Sequence, residues 1–396
     1  MKKVVFGITS LTLGGAERVL VDIVNELNKS SNYDIEIFTI YAKGELEKQV
    51  DKNVKIKSIY KKKYDELNKL EKILIPLKML LFRNTIYKKY IKNNYDVEIA
   101  FLEGAITRLF SSGSKRKNKV ADKKIKKIAW IHNDISLVFG NGLKSNIKKI
   151  LDERIYSKYD KLVFVSKDNM QKFENVYCEG KYNGNLEKVS KEVIYNYINK
   201  DNVILKSKED DCIKFDKDKI NFVTVARLTK QKRIDRIISV HKKLIDEGII
   251  HNFIVIGDGI ERKNLEELIK KNRVGNTFRL LGSKENPYPY ISKCDYFCLL
   301  SEFEGYGMVL EEAKILERNI LITDTAAREA VNNYKKANIL ENSFEGIYKG
   351  IKESVQYGKL DNKDINSAYD DNTYENIGLI KKIENVIDEV WGEKWK

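Results

Sequence analysis

Two glutamates and two glycines in one short stretch carry the most chemical information in this 396-residue chain. In SEFEGYGMVLEEAKIL, residues 301–316, a strand is expected to end at Ser301 and a helix to begin near Gly307. Glu304 sits on the turn between them and Glu312 in the second helical turn, so one carboxylate can reach a ligand from the loop and the other from the helix. Carboxylates accept hydrogen bonds from pairs of hydroxyls. Backbone N–H groups at a helix start bind phosphate or sugar oxygens, and Gly305 and Gly307, on either side of Tyr306, allow a ligand close to the main chain. The chemistry these residues offer is recognition of a hydroxyl-rich, anionic molecule. A capping acid followed by a solvated helix glutamate would leave the same letters.

The elements that must position this stretch are legible from periodicity. KVVFGIT (3–9), DIEIFTI (34–40), VEIAFL (97–102), KIAWIH (127–132) and KLVFVS (161–166) read as strands separated by helices, with one or two helices over 66–92. A charged, weakly patterned stretch at 200–218 interrupts the alternation. It restarts with INFVTVA (220–226), HNFIVIG (251–257), TFRLLG (277–282), YFCLLS (296–301) and NILITD (319–324), and with helices at 234–247, 261–272 and 307–317. Such alternation predicts an α/β fold with a doubly wound parallel sheet in each half. The expected architecture is two Rossmann-like domains, 1–200 and 201–377, facing across a cleft that is the natural ligand site. The periodic stretch 378–396 is expected to pack back on the first domain.

Several chemistries are excluded or disfavoured. Apolar residues at 42% and charged residues at 33% suit folded domains and rule out wholesale disorder. Cys178, Cys212, Cys294 and Cys298 form no CxxC pair, and His132, His241 and His251 do not cluster, so no structural metal is expected. The chain reads as cytosolic and reduced. VVFGITSLTLGGA after Met1-Lys2-Lys3 imitates a signal peptide, but Thr9, Ser10 and Thr12 break the apolar run, and a buried first strand is preferred. No apolar run reaches the length of about 18 residues that a membrane-spanning helix needs. GDGIER (257–262) imitates a dinucleotide-binding turn, but Arg262 stands where the third glycine belongs.

The segments around the glutamates, taken in order, resemble the retaining GT-B glycosyltransferases of the GT4-like family (glycosyl transferases group 1), in the form associated with bacterial surface polysaccharides. EGYGMVLEE resembles the donor-site E-x7-E signature of that family. Gly14-Gly15-Ala16-Glu17-Arg18, Trp130-Ile131-His132-Asn133-Asp134, Val193-Ile194-Tyr195-Asn196, VARLTKQKRID (225–235), VIGDGIERKNLE (255–266) and LLGSKENPYPYISKCDYF (280–297) match further motifs in the family's order. The resemblance spans residues 3–331.

What the resemblance implies can be stated residue by residue. Arg227 and Lys232 would contact the diphosphate of a nucleotide sugar, where fixed cations stabilise the charge that grows as it departs. Lys230 and Arg233 are neighbours that serve if the register slips, and surface cations at a strand end are the plain alternative. His132 would lie beside the transferred sugar. Gly14 and Gly15 would face the donor phosphates and the acceptor, or simply turn the chain into a helix. Gly282 and Ser283 would take the nucleotide base, with Tyr288 and Tyr290 either nearby or packing the helix entry. Glu304 would orient the sugar and Glu312 hold the ribose, with Asn196, Gly305, Tyr306 and Gly307 completing the binding surface.

The chain also departs from the family. AKILERNILITD (313–324) lacks the Gly and Pro usual after the second glutamate, and NNYKKANILENS (332–343) replaces a Gly-rich run. Tyr197 stands where Gly is common. These departures leave reaction class clearer than donor identity.

The net charge of +15 has two sources: 56–92, with 11 basic residues against 3 acidic, and 115–127, with 8 against 1. Clustered cations with interleaved Leu, Ile, Met and Phe suit peripheral contact with an anionic membrane, and a core helix fits 66–92 as well. Of the 73 basic residues only 13 are Arg, a Lys bias that AT-rich codons also produce. Low Arg content and the lack of a recognition motif argue against nucleic acid.

The expected activity is retaining, metal-independent transfer of a sugar from a nucleoside diphosphate sugar, UDP-sugar first, to a hydroxyl of a lipid-linked or polymeric glycan. No cofactor and no metal are expected, since no DxD stands at a strand end and Asp210-Asp211 falls in the linker. The expected location is the cytoplasm, at the inner face of the membrane if the basic face binds lipid. The competing readings are a non-catalytic transferase-like partner subunit and a sugar-nucleotide epimerase.

Overall fold

Apolar runs buried on both faces require a sheet covered by helices on each side. The computed structural model describes residues 1–91, 95–113, 125–133, 143–177, 186–209, 214–358 and 376–391, and the chain divides into two units: 1–198 with 376–396, and 199–375.

The first unit is built on β1 (Lys2–Ile8), β2 (Tyr33–Tyr41), β3 (Lys55–Tyr60), β4 (Val97–Ala100), β5 (Lys126–Ile131), β6 (Lys161–Phe164) and β7 (Ser190–Val193). They form one parallel sheet in the order β3-β2-β1-β4-β5-β6-β7. The helix Gly15–Asn28 turns Val19, Leu20, Ile23, Val24 and Leu27 inward, the spacing expected of one helical face. The segment 66–92 holds two helices, Lys69–Leu81 and Arg83–Tyr90, separated at Phe82. The helix Asn376–Trp391 belongs to this unit: it buries Ile383, Val386 and Ile387, and Asp388 accepts from Lys2 Nζ at 2.8 Å and Tyr33 Oη at 3.1 Å. Lys161 of β6 reaches Glu389 at 2.6 Å.

The second unit repeats the plan with β8 (Asn221–Val225), β9 (Asn252–Ile256), β10 (Phe278–Leu280), β11 (Tyr296–Leu299), β12 (Asn319–Thr323) and β13 (Ala337–Leu340), parallel in the order β10-β9-β8-β11-β12-β13. Each sheet reverses direction of winding once, between β1 and β4 and between β8 and β11. Doubly wound sheets bind ligands at such switch points, beyond the carboxyl ends of the strands.

Three strands escaped the sequence reading: β3, β7 and β13. Each is an edge strand, and KIKSIY, SKEV and ANIL carry no long buried run because an edge needs none. One residue of the basic segment 115–127 also needs correction. Lys127 is buried, with its ammonium on the Glu98 carboxylate and on the Phe110 carbonyl at 2.6 Å, while Tyr87 Oη donates to Glu98 at 2.5 Å. A buried lysine needs such partners, and its charge does not reach the surface. Residues 114–124 of that segment lie outside the described residues.

Candidate active site

At the switch point of the second sheet, the turn after β8 meets the loop after β11. Gln231 bridges them twice: Glu302 N donates to its carbonyl at 2.9 Å, and its Nε2 donates to the Phe303 carbonyl at 2.8 Å. Lys232 then donates to the carboxylate of Glu304, and Ser301 Oγ donates to the same oxygen at 2.5 Å. Glu304 is only 8% exposed. The loop is held in turn by Thr323 of β12, whose hydroxyl donates to the Ser301 carbonyl at 2.7 Å. Two of the sequence-predicted residues thus touch directly, and the carboxylate is fixed as a hydrogen-bond acceptor.

Gly307 leads into the helix Met308–Ile315 at φ +71°, a left-handed conformation; a Cβ there would also lie 3.0 Å from Leu299 Cδ2 and 3.2 Å from Ala327 Cβ. Tyr306 is buried and donates to Glu311 at 2.7 Å; Glu311 pairs with Lys314 at 2.8 Å, and Lys314 caps the Ala330 carbonyl at 2.7 Å. This buried network anchors the loop from below, so Tyr306 serves the loop's shape. Glu312 is buried rather than solvated, and Tyr288 Oη donates to it at 3.1 Å. That removes the reading of Glu312 as a solvent-facing helix acid and gives Tyr288 a polar task that its apolar neighbourhood hid.

Arg227 is exposed on the same edge, with no side-chain partner among the described residues. Its backbone is fixed by the neighbouring loops: Ala226 N donates to Ile256 O and Leu228 N to Asp258 O, each at 2.9 Å, and Gly257 N to Gly282 O at 2.9 Å. Gly257 has φ +138°, and a Cβ on it would fall 1.9 Å from the Ala226 carbonyl oxygen. The glycines of GDGIER therefore serve a close approach of backbones beneath Arg227. Gly282, at φ +74°, and exposed Ser283 follow β10 on the same carboxyl edge.

In the first unit, Gly14 caps the helix Gly15–Asn28 after β1, with extended backbone, and Arg18 N donates to its carbonyl at 3.1 Å. His132 follows β5. Its ring bonds to the Phe101 backbone and lies tilted at 55° to the Phe101 ring, 4.8 Å between centroids, while Nε2 is buried without a partner among the described residues. Burial drives its pKa down to about 3, so the imidazole is neutral and Nε2 can accept a hydrogen bond. Glu103, on the loop after β4, accepts from the backbone N–H of His132 at 2.5 Å and of Asn133 at 2.7 Å, and from Asn133 Nδ2 at 3.0 Å. Asn169 Nδ2 donates to the Asn133 carbonyl at 2.8 Å. Asn196, after β7, is buried with Oδ1 unpaired. Asp134 of the histidine motif lies outside the described residues.

Sequence reasoning missed Glu103 and Asn169. Glu103 stands alone in FLEGAIT, and its partners lie 29 and 30 residues on; only its position at a strand end beside a switch point could have marked it.

Residues 205–371 match the family model described as glycosyl transferases group 1. The chain is 26% identical over 369 residues to the N-acetylgalactosamine-N,N'-diacetylbacillosaminyl-diphospho-undecaprenol 4-alpha-N-acetylgalactosaminyltransferase of Campylobacter jejuni, covering 91% of this chain and 92% of that protein. It is 34% identical to the O-antigen biosynthesis glycosyltransferase WclY of Escherichia coli over 199 residues, 48% of this chain and 52% of that one. The fold superposes on HepE of Anabaena, solved with UDP and glucose, with a TM-score of 0.70 at 15% identity over 98% of this chain and 100% of that one. The chain is a glycosyltransferase of the GT-B fold, and residues 205–371 of its C-terminal unit match the glycosyl transferases group 1.

Proposed function

We propose that this protein transfers a sugar from a nucleoside diphosphate sugar, UDP-sugar first, to a hydroxyl of a lipid-linked or polymeric glycan, with retention at the anomeric carbon and without a metal. The observation that carries this reading is the contact of Lys232 with Glu304 at the switch point of the second sheet. A cation and a carboxylate side by side suit the two ends of one donor: Lys232, with Arg227, for the diphosphate, and Glu304 for sugar hydroxyls. The backbone at Gly305 and Gly307 meets the same ligand, Glu312 takes the ribose, and Gly282 and Ser283 take the base.

In the reaction the bond from the anomeric carbon to the diphosphate oxygen breaks, and the acceptor oxygen bonds on the same face. Its proton passes to the departing phosphate. Glu304, already engaged by Lys232 and Ser301, orients the sugar instead of attacking it. Arg227 and Lys232 stabilise the leaving charge, each charge-assisted bond contributing about 1.5–3 kcal/mol. His132 Nε2 accepts from a sugar hydroxyl, and Gly14, Gly15 and Asn196 bind phosphates and acceptor. The undecaprenol-linked substrate in the name of the Campylobacter relative is the model for the acceptor.

Calorimetric titration with UDP, GDP and TDP in chelator tests the donor half of this reading. One nucleotide should bind, and Arg227→Ala or Lys232→Ala should weaken it about tenfold or more. No binding of any nucleotide would contradict it.

A further inference from the structure

The helix Lys69–Leu81 has two apolar faces. One turns Ile75 and Met79 into the core of the first unit. On the other, Leu70, Ile73, Leu74, Leu77, Leu80 and Leu81 are 48–67% exposed, and Phe82 at the helix end is 57% exposed. At about 100° per residue the six helical positions fall within an arc of about 120°, opposite Ile75 and Met79. Elsewhere among the described residues large exposed apolar side chains are scattered, as at Leu13, Leu151 and Leu205. Scattered ones are ordinary on any surface; a continuous stripe of this size marks an interaction site.

Charge selects the partner. Lys69 borders the stripe on one side and Lys78 on the other, and no acid lies within it. Arg83, Lys88 and Lys89 follow on the next helix. Lys57, Lys62 and Lys63, by contrast, are committed to Glu36, Glu71 and Glu45, whereas Lys69, Lys78, Arg83 and Lys88 form no ion pair among the described residues. Two cations without an ion pair among the described residues, Lys69 and Lys78, thus flank the apolar stripe. A second copy meeting this face about a two-fold axis would set these cations against their own equivalents.

We infer that the exposed face of the helix Lys69–Leu81, with Phe82, seats in the interfacial layer of an anionic bilayer. The leucines enter the boundary between headgroups and acyl chains, and the flanking ammonium groups sit at lipid phosphates. Surface attachment of this kind needs no spanning segment, and no helix among the described residues is long and apolar enough to cross a membrane.

Vesicle co-sedimentation of the full chain tests this without donor or acceptor, so its failure is separate from any failure of the transfer reading. The chain should pellet with vesicles of phosphatidylglycerol and phosphatidylcholine, less with phosphatidylcholine alone, and less again in about 0.5 M salt. Leu74→Ser combined with Leu77→Ser should lower partition at least about tenfold while leaving the melting temperature unchanged. Equal partition of the double variant, or no partition of the unaltered chain, overturns the inference. So does a dimer in sedimentation velocity that the double variant abolishes, which would give the stripe to a second copy.

Discussion

Lys232 and Glu304, 72 residues apart in sequence, are joined as an ion pair across the switch point of the second sheet. The pair links the turn after β8 to the loop after β11, and Ser301 shares the same carboxylate oxygen. The loop is therefore held by the protein's own groups, the arrangement on which electrostatic preorganisation depends.

Lys232→Met should lower kcat for nucleotide release by about 10- to 100-fold, the effect of losing one charge-assisted contact to the leaving group. Because Lys232 and Glu304 touch, the double variant with Glu304→Gln should fall less than the two single losses multiplied. Strictly multiplicative losses in steady-state assays would mean that the two residues act independently.

Glu103 holds the His132–Asn133 backbone through two N–H bonds, and His132 presents a neutral imidazole. Glu103→Ala should reduce kcat about tenfold by loosening that strand end, and Glu103→Gln, which retains an accepting oxygen, should recover most of it. With the His132 pKa at about 3, its titration should leave no limb in the kcat profile from about pH 5 to 8. A limb near pH 6.5 that disappears in His132→Asn would contradict the neutral assignment.

His241 Nδ1 lies 2.8 Å from His251 Nε2, and His251 Nδ1 lies 3.0 Å from the Ile249 carbonyl, both rings fully buried in the second unit. Burial lowers their pKa values to about 3 and about 4, with the neighbouring ring further lowering His241. The unfolded chain therefore binds more protons below about pH 6.5, and stability present above that pH is lost as pH falls toward 4 and 3. The expected slope is about 1.4 kcal/mol per pH unit for each histidine. Denaturant titrations from pH 7 to 4 should show this loss, and His241→Gln should flatten it; an unchanged slope would remove the pair as its source.

Glu317 occupies φ +57° just past the helix Met308–Ile315, where the family's usual turn carries glycine. Glu317 N donates to Lys314 O at 2.8 Å and Arg318 N to Ala313 O at 3.0 Å, so the helix closes as it would around glycine. The missing glycine thus leaves the turn intact at a conformational cost. Glu317→Gly should stabilise the protein by about 1 kcal/mol in chemical denaturation, and a loss of stability would show that the exposed side chain contributes in another way.

Legibility in the sequence followed burial. β1, β2, β8, β9 and β11 are central strands whose continuous apolar runs could be read directly, whereas β3, β7 and β13 are edges with ordinary polar letters. The acidic loop at 301–307 was legible because glycines and carboxylates share one short span. Glu103, Asn169 and the contact of Tyr288 with Glu312 were not, since each acts on a partner distant in sequence and only the folded chain brings them together. Lys127 misled for the same reason: beside other lysines it read as surface charge, but its partner Glu98 lies on the adjacent strand β4.

The most direct test is nucleotide release from a panel of UDP-, GDP- and TDP-sugars in the presence of chelator, with Glu304→Gln measured in parallel. Turnover of one donor that survives chelator and falls about 100-fold or more in the variant is the predicted result. Turnover abolished by chelator, or equal in the variant, would contradict a metal-independent transfer organised by Glu304.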